Sequence, residues 1–272
     1  MLRRKTKRGL QLLFNREARQ AYLLKRQEIN EIRRIKRMPR YTASQTDLFG
    51  KPFRFLDKSF VANYEEIFWK EVYKFNTSAS APYIVDCGAN VGLSVFYFKQ
   101  RFPNAHIVAF EPDPNIFQAL QQNVETFGFQ DVDLNDKVVW SEETTVQFHL
   151  EGGSSSRIAT DSDTKAVQTL ETVSLRAYLD RPVDFLKIDI EGAEFDVLQS
   201  CHDLLGQVQN IFVEYHSVVG SEQKLGALLQ LLSDAGFRYY IQHTGVVSSH
   251  PYCDIQQMLD MDLQLNIYGY RK

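Results

Sequence analysis

A glycine-containing turn at Asp86 to Gly92 constrains the fold of this chain more than any other part of its sequence. An apolar run from Tyr83 to Val85 precedes the turn, and a helical pattern from Leu93 to Phe102 follows it. This order predicts a strand, a tight turn and a helix, which is the repeating unit of an α/β fold. The two glycines of the turn, Gly88 and Gly92, would let the backbone come close to a bound ligand.

An acidic residue follows the next predicted strand. This second apolar run, from Ala105 to Phe110, ends in the sequence Glu111-Pro112-Asp113. Glu111 lies 25 positions after Asp86, and an acidic residue at about this offset holds the ribose hydroxyls in nucleotide-binding α/β folds. The turn and Glu111 together predict a cofactor that contains adenosine.

The charge of the turn indicates which cofactor to expect. A dinucleotide-binding turn carries three glycines and offers free backbone amides to a pyrophosphate. Here Asp86 occupies the position of the first glycine, and its carboxylate would repel phosphate and attract a cation. S-adenosylmethionine carries an ammonium and a sulfonium but no phosphate, so we expect it to be the cofactor. The predicted cofactor-binding residues are Asp86, Gly88, Asn90, Gly92, Glu111, Asp113, Val139 and Asp189.

Three carboxylates lie close together after a further predicted strand, in Leu186-Lys187-Ile188-Asp189-Ile190-Glu191-Gly192-Ala193-Glu194. So many charges at the end of a strand are not expected to serve packing. This segment, together with Val85 to Gly92, Ala109 to Asp113 and Val213 to His216, resembles the FkbM family of S-adenosylmethionine-dependent methyltransferases. The resemblance covers about residues 80 to 245, and Lys187 to Glu194 is its most specific part.

The resemblance implies a Rossmann-like methyltransferase fold and methyl transfer to a hydroxyl group. On this basis we expect O-methylation of a sugar, a polysaccharide precursor or another small metabolite, with C- and N-methylation as alternatives. The acceptor itself is not indicated by composition or periodicity.

Methyl transfer to a hydroxyl requires a group that removes a proton. The predicted catalytic residues, all at or just past a strand end, are His216, Asp189, Glu191 and Glu214. His216 is the first choice for the base because the ordinary pKa of histidine suits proton abstraction at neutral pH. The alternative for His216 is a surface histidine that caps a loop, and the alternative for Asp189 is a helix N-cap.

The same four residues also offer a second mechanism. Asp189, Glu191, Glu214 and His216 could bind Mg²⁺ or a similar cation, which would lower the pKa of the acceptor hydroxyl. Without a cation, their mutual repulsion must be relieved by a proton or by Lys187. Lys187 is expected to be only a partial partner, because it points to the opposite face from Ile188.

The order of predicted elements favours a mostly parallel, doubly wound sheet that ends in an antiparallel hairpin. The predicted strands are 83–87, 105–110, 136–140, 145–150, 166–173, 184–189, 210–215, 237–243 and 263–270. The predicted helices are 59–75, 92–102, 114–127, 193–203 and 221–235, and the first of these is expected to cover the cofactor cleft. A flexible loop is expected at 151–156, and Trp140 is expected either beside the adenine or in the core.

Composition agrees with a globular enzyme. A chain of 272 residues can form one α/β domain with an appendage, and its 19 Phe and 13 Tyr favour a sizeable core. The three cysteines are scattered without a C-x-x-C pair, so neither a disulfide framework nor a structural zinc site is expected. No apolar run is long enough to span a bilayer, and we expect a cytoplasmic protein.

The net charge of −3 conceals a basic arm. Residues 1–40 contain 14 of the 31 Lys and Arg but only three acids, so the arm is near +11 and the remaining chain near −14. Apolar residues recur in the arm at helical spacing, which predicts one or two amphipathic helices. We therefore divide the chain into a basic helical extension at 1–50 and a methyltransferase domain at 51–272.

Three interpretations of the arm remain open. It could pack on the domain or on a second subunit of a homo-oligomer, it could contact an anionic membrane surface weakly and in a salt-sensitive way, or it could bind nucleic acid. A nucleic-acid methyltransferase is disfavoured, since the chain has neither an Asn/Asp-Pro-Pro-Tyr/Phe sequence nor a Pro-Cys nucleophile. The other rival is a non-catalytic scaffold with the same fold within a biosynthetic complex.

Overall fold

The computed structural model describes residues 16–149, 157–158, 167–258 and 260–271. The strands are β1 Ser44–Thr46, β2 Phe53–Phe55, β3 Tyr83–Cys87, β4 His106–Phe110, β5 Val132–Asn135, β6 Val138–Trp140, β7 Thr145–His149, β8 Arg157–Ile158, β9 Val167–Ser174, β10 Phe185–Ile188, β11 Asn210–Val218, β12 Arg238–Thr244 and β13 Met261–Tyr270. The helices are α1 Arg16–Lys36, α2 Phe60–Tyr64, α3 Leu93–Arg101, α4 Pro114–Phe127, α5 Glu194–Ser200 and α6 Leu225–Asp234. A π-helical turn spans Glu65–Trp69, and 3₁₀ turns span Leu175–Tyr178 and His202–Gln207.

The central sheet has seven strands within these residues, in the order β12-β13-β11-β10-β3-β4-β5. Strands β5, β4, β3, β10 and β11 are parallel, whereas β13 runs antiparallel to both β11 and β12. The chain proceeds outward from β3 to β5 and later returns to β10, so the strand order reverses between β3 and β10. Open α/β sheets bind ligands at such a reversal, outside the carboxyl ends of the strands. The predicted parallel sheet with a terminal antiparallel pair is therefore confirmed.

Local chemistry explains why the elements lie where they do. Strand β3 is covered on both faces, so its sequence is a nearly continuous apolar run instead of an alternating one. Helix α4 starts at Pro114, whose fixed φ suits a first helical position, and it ends at Phe127, where Gly128 with a φ of +66° caps it. Its buried stripe includes Ile116 and Leu120, which pack against the core on one face of the sheet.

The strand predicted at residues 136–140 corresponds to β6, whereas β5, immediately before it in the chain, was not predicted. The edge of the central sheet is β5, and β6 belongs to a second sheet with the order β6-β9-β7-β8. The chain turns between them because the Asn135 side chain accepts a hydrogen bond from the Lys137 backbone amide at 2.9 Å. The loop predicted at 151–156 lies outside the described residues.

The single helix predicted at 59–75 is shorter than expected. It comprises α2 and the π-helical turn and ends at Trp69, which is 46% exposed. Two residues later, Glu71 has a φ of +52°, a conformation that a right-handed helix cannot contain. The loop beyond the helix end still returns to the domain, because Val72 and Tyr73 are buried in the core.

The amino-terminal part packs on the domain. Helix α1 lies within the predicted basic arm, and Ile32 and Ile35 near its end are buried with the aromatic core. The β1–β2 hairpin, which pairs Ser44 with Phe55, crosses the predicted boundary between residues 50 and 51. Residues 1–15 of the predicted basic arm lie outside the described residues. Among the helices that are described, none is both long and apolar enough to cross a bilayer.

Candidate active site

A cavity of about 550 Å³ opens at the carboxyl ends of β3, β4, β10 and β11. This volume lies within the range of small-molecule sites, and the position is the strand-order reversal. The predicted site residues that line it are Gly88, Asn90, Glu111, Val139, Asp189, Glu191 and Glu214. The predicted residues Asp86, Gly92, Asp113 and His216 do not line it.

The glycine turn forms one wall of the cavity. Gly88 has a φ of +90°, and a Cβ atom there would lie 1.9 Å from the backbone oxygen of Asp189. A side chain is therefore excluded, which lets the turn lie directly against the end of β10. Gly92, with a φ of +92°, is the N-cap of helix α3, and a Cβ atom there would lie 2.7 Å from Leu120 Cδ1 and not in the cavity.

Asp86 lies beneath this turn instead of facing the cavity. Its side chain is fully buried, its Oδ2 accepts a hydrogen bond from the Ser94 hydroxyl, and its Oδ1 lies 3.3 Å from the Lys187 ammonium. The expected direct contact with a ligand amine or hydroxyl is thus replaced by a buried ion pair. This ion pair forms because the Lys187 side chain is buried beside Asp86. The alternation of residues along the strand did not indicate this position.

Lys187 is the main cation of the site. Its Nζ lies 3.2 Å from Asp189 Oδ2 and donates a hydrogen bond to the Gly88 oxygen at 2.7 Å. Burial alone would lower the pKa of this ammonium, but the carboxylates of Asp189 and Asp86 raise it by more. The net pKa lies above its ordinary value, so the ammonium stays charged. Of the predicted cluster Asp189, Glu191, Glu214 and His216, only Asp189 forms an ion pair with Lys187, whose second ion-pair partner is Asp86.

Glu111 joins the glycine turn to strand β4. Its Oε2 accepts a hydrogen bond from the Asn90 amide at 3.1 Å, and its Oε1 accepts one from the Asp113 amide at 2.9 Å. Burial raises the pKa of Glu111 to about 8 despite these two hydrogen bonds. A carboxyl at the cavity wall, held by two amides, has the position expected for a ribose partner.

Asp113 caps helix α4. Its Oδ1 accepts hydrogen bonds from the Asn115 amide at 2.9 Å and the Ile116 amide at 3.3 Å, and its side chain is buried outside the cavity. These contacts satisfy amides that would otherwise have no partner at the helix start. Asp113 therefore stabilises the start of helix α4 and does not line the cavity.

Carboxylates form the floor of the cavity. Asp189 and Glu191 follow β10, and Glu214 lies on β11 with its Oε1 accepting a hydrogen bond from the Gln264 side chain at 3.1 Å. Glu191 has a φ of +58°, an unusual conformation for a residue with a side chain. Burial, opposed by His216 and reinforced by Asp189, raises the pKa of Glu191 to about 8.

His216 lies behind these carboxylates and does not face the cavity. Only 1% of its side chain is exposed, and its Nδ1 lies 3.0 Å from Glu194 Oε1. Burial lowers the pKa of His216, but Glu191 and Glu194 raise it well above its ordinary value. A buried imidazole that retains its proton is a poor general base, so this placement differs from the predicted role. The two differ because His216 is buried within the sheet, and the sequence did not indicate this burial.

The opposite side of the cavity is apolar. Val139 lines it as predicted, together with Val138 and Phe148 from the second sheet. Such a surface suits a flat aromatic group such as an adenine. Trp140 packs against the neighbouring core and does not line the cavity, in agreement with its structural alternative. Phe148 could not be recognised from the sequence, because the second sheet brings it there.

Residues before the glycine turn complete the cavity. Asn63 and Glu66 come from α2 and the π-helical turn, and Tyr73 comes from the loop that follows. Arg40 and Lys70 add two cations. None of these residues belongs to a sequence motif, so only the packing of the helix predicted at 59–75 could have suggested them.

Comparisons with known proteins agree with this geometry. The model of the FkbM methyltransferase domain matches residues 86–239, which is more than half of the chain. The chain is 25% identical to Methyltransferase 1 of Beauveria bassiana over 221 residues, covering 72% of this chain and 87% of that protein. It is 30% identical to Methyltransferase sdnD of Sordaria araneosa over 213 residues, covering 64% of this chain and 80% of that protein.

A solved structure shares the fold. The FkbM methyltransferase of Methylobacillus flagellatus aligns with a TM-score of 0.50 at 14% identity, covering 76% of this chain and 48% of that one. The match to the domain model includes the glycine turn, Glu111, the carboxylates after β10 and the end of β11. The chain therefore belongs to the FkbM family of methyltransferases.

Proposed function

We propose that the chain transfers a methyl group from S-adenosylmethionine to a hydroxyl of a sugar, a polysaccharide precursor or another small hydroxylated metabolite. One observation carries the proposal: a single cavity brings the glycine turn and Glu111 together with Asp189 and Glu191, which follow β10, and Glu214 on β11. The first group suits a cofactor, and the second suits removal of a proton from an acceptor.

The residues present fit S-adenosylmethionine. Gly88 leaves room for the methionine portion, Glu111 is positioned for the ribose, and Val139 with Phe148 offers an apolar wall to the adenine. The acidic floor favours the cationic ammonium and sulfonium. When bound, the cofactor supplies an electrophilic methyl group, whose bonding electron pair returns to sulfur on transfer.

The residues of the chain then position the acceptor and remove its proton. Polar side chains at the cavity, from Ser59, Asn63 and Gln264, can donate and accept hydrogen bonds with several hydroxyls of one acceptor. Among the predicted bases that line the cavity, we assign the acceptor proton to Glu191 in its ionised form, because its pKa, raised to about 8, makes it a stronger base than an ordinary carboxylate. Alignment of the acceptor oxygen with the methyl carbon supplies the rest of the rate enhancement.

The proposal is tested by incubating the chain with isotopically labelled S-adenosylmethionine and a panel of free sugars, nucleotide sugars and glycosylated phenols. We expect labelled product from at least one acceptor, with a methoxy signal in its NMR spectrum. Label on carbon or nitrogen, or on added RNA, would overturn the assignment to a hydroxyl. Tight binding of S-adenosylhomocysteine with no product from any acceptor would favour the non-catalytic scaffold.

Glu191→Gln examines the proton acceptor. We expect kcat to fall by about 10²- to 10⁴-fold, the usual contribution of general base catalysis, with S-adenosylhomocysteine affinity nearly unchanged. Glu222→Gln is the matched control, because Glu222 is exposed on the loop before α6. Full turnover in the Glu191 variant would remove that residue from the mechanism and make Asp189, which also lines the cavity, the next candidate.

A further inference from the structure

Ligand atoms of three residues converge at the carboxyl edge of β10 and β11. One side-chain atom each from Asp189, Glu214 and His216 lies within 4.8 Å of the other two. Glu191 Oε2 is also close, at 3.8 Å from His216 Nε2. An acidic cluster alone would not indicate a ligand, because surface carboxylates commonly gather without one.

The second observation is the state of His216 Nε2. This nitrogen is buried and has no hydrogen-bond partner among the described residues, although it points into the cluster. Its distances of 3.7 Å to Glu214 Oε1 and 3.8 Å to Glu191 Oε2 are too long for hydrogen bonds. Two ligands that share one metal ion at roughly 2.1 Å lie about 3 to 4 Å apart, so the gap has the size that a cation requires.

The surroundings fix the imidazole in the orientation of a metal ligand. Glu194 accepts the Nδ1 proton at 3.0 Å and is itself held by the Gly192 amide at 2.9 Å. A carboxylate behind a histidine in this way sets the tautomer that leaves Nε2 free to coordinate. On the other side, Gln264 holds Glu214 in place.

The charge balance also favours a cation. The carboxylates of Asp189, Glu191 and Glu214 surround the gap, whereas the ammonium of Lys187 lies between Asp86 and Asp189 on the other side. In the metal-free chain the proton on His216 offsets part of this negative charge, and a dication that displaces that proton would take over this role. Two carboxylates and one imidazole form a mixed oxygen and nitrogen donor set, which suits Mn²⁺ and its first-row neighbours better than Ca²⁺.

We propose that Asp189, Glu214 and His216 bind a divalent cation of the Mn²⁺ type at the floor of the cavity. Its role rests on the proposed function: a cation at this position would lie beside the acceptor hydroxyl and lower its pKa, so that the proton leaves more readily for Glu191. Its existence can be tested without the cofactor or an acceptor.

The experiment titrates the chelator-treated full chain with Mn²⁺, following the electron paramagnetic resonance signal of free Mn²⁺. We expect one saturable Mn²⁺ per chain. Glu214→Gln keeps the shape and the partner Gln264 but removes a charged ligand, and it should weaken binding at least about tenfold. His216→Asn is the second variant, and circular dichroism melting verifies that both are folded.

Glu66→Gln is the matched control for charge alone. Glu66 lines the same cavity but belongs to no ligand set, and its Oε1 accepts a hydrogen bond from Asn266 at 3.0 Å. We expect this variant to change Mn²⁺ affinity by less than about threefold, as a single screened charge would. Equal weakening by Glu66→Gln and Glu214→Gln would overturn the site, since it would show unspecific attraction of cations.

The outcomes separate the site from the reaction. Absence of stoichiometric Mn²⁺ binding overturns the metal site, even where methyl transfer proceeds normally in chelator. Stoichiometric binding that Glu214→Gln abolishes supports the site, even where no acceptor of the panel is methylated. In an active preparation, we expect chelation to reduce turnover and Mn²⁺ to restore it.

Discussion

Gly88 is the position at which a single methyl group would do most harm to the turn. An added Cβ would lie 1.9 Å from the Asp189 oxygen, and the φ of +90° is itself unfavourable for a side chain. We expect Gly88→Ala to cost at least roughly 1–3 kcal/mol of unfolding free energy, the usual penalty for a strained backbone. We also expect it to weaken S-adenosylhomocysteine binding, because the turn must move away from β10.

Urea unfolding and calorimetric titration measure the two effects. Gly226→Ala serves as the control, because no heavy atom lies within 4 Å of the added Cβ in helix α6. That variant should gain roughly 0.5–1 kcal/mol, as alanine usually does in a helix. If Gly88→Ala matched the parent chain in both measurements, the close packing of the turn on β10 would be refuted.

Glu111 should make cofactor affinity depend on pH. Burial raises its pKa to about 8, so the free protein holds this carboxyl largely protonated at neutral pH. Ribose hydroxyls donate hydrogen bonds, and a carboxylate accepts them better than a carboxylic acid. Binding therefore favours loss of the proton, and we expect affinity for S-adenosylhomocysteine to rise from pH 7 to about pH 8 and then to level off.

Calorimetric titrations of the parent chain and of Glu111→Gln between pH 6 and 9 test this dependence. The glutamine side chain cannot ionise, so its weaker affinity should vary less with pH. An affinity of the parent chain that falls with rising pH would contradict the assignment of Glu111 to the ribose.

At the scale of elements, Asp113 determines how helix α4 begins. Its side chain accepts hydrogen bonds from two amides of the first turn, and its own amide donates to Glu111. We expect Asp113→Ala to cost about 0.5–2 kcal/mol of unfolding free energy, as loss of an N-cap usually does. Asp113→Asn should keep most of this stability, because asparagine is an equally good cap.

The pair of variants also separates a cap from a cofactor ligand. If Asp113 only supports the wall, the asparagine variant should bind S-adenosylhomocysteine about as well as the parent chain does. A large loss of affinity in a stable Asp113→Asn variant would restore the sequence prediction that Asp113 contacts the cofactor. Denaturant unfolding and calorimetry together decide between the two.

The elements that could be predicted from the sequence are those specified by local signals. The turn after β3 was predicted from its glycines, and the helix predicted at 114–127 matches α4, which Pro114 starts and Gly128 caps. The division between β5 and β6 was missed because it depends on one side-chain hydrogen bond from Asn135. The burial of His216 and the inward position of Lys187 were missed because depth in a sheet is set by neighbouring strands, not by local pattern.

At the scale of the whole molecule, the amino-terminal helix supports the cavity from behind. Glu28 of α1 accepts hydrogen bonds from the Trp69 indole at 2.6 Å and the Tyr64 hydroxyl at 3.1 Å. Lys36 pairs with Glu65 at 2.8 Å. These partners flank Asn63 and Glu66 in the chain, which line the cavity. The second half of α1, from Glu28 to Lys36, therefore packs on the domain, and membrane contact by residues 1–40 remains a prediction.

Ile35 tests whether α1 is part of the core. Its side chain is fully buried among the aromatic residues of the domain, and we expect Ile35→Ala to cost roughly 2–5 kcal/mol of unfolding free energy. Leu24→Ala removes a similar volume from the same helix at a position that is 58% exposed, and should change stability by less than about 0.5 kcal/mol. Urea unfolding measures both. Equal, small effects of the two variants would mean that the extension and the domain fold separately. A single urea-unfolding transition that only Ile35→Ala shifts would make α1 part of the methyltransferase fold.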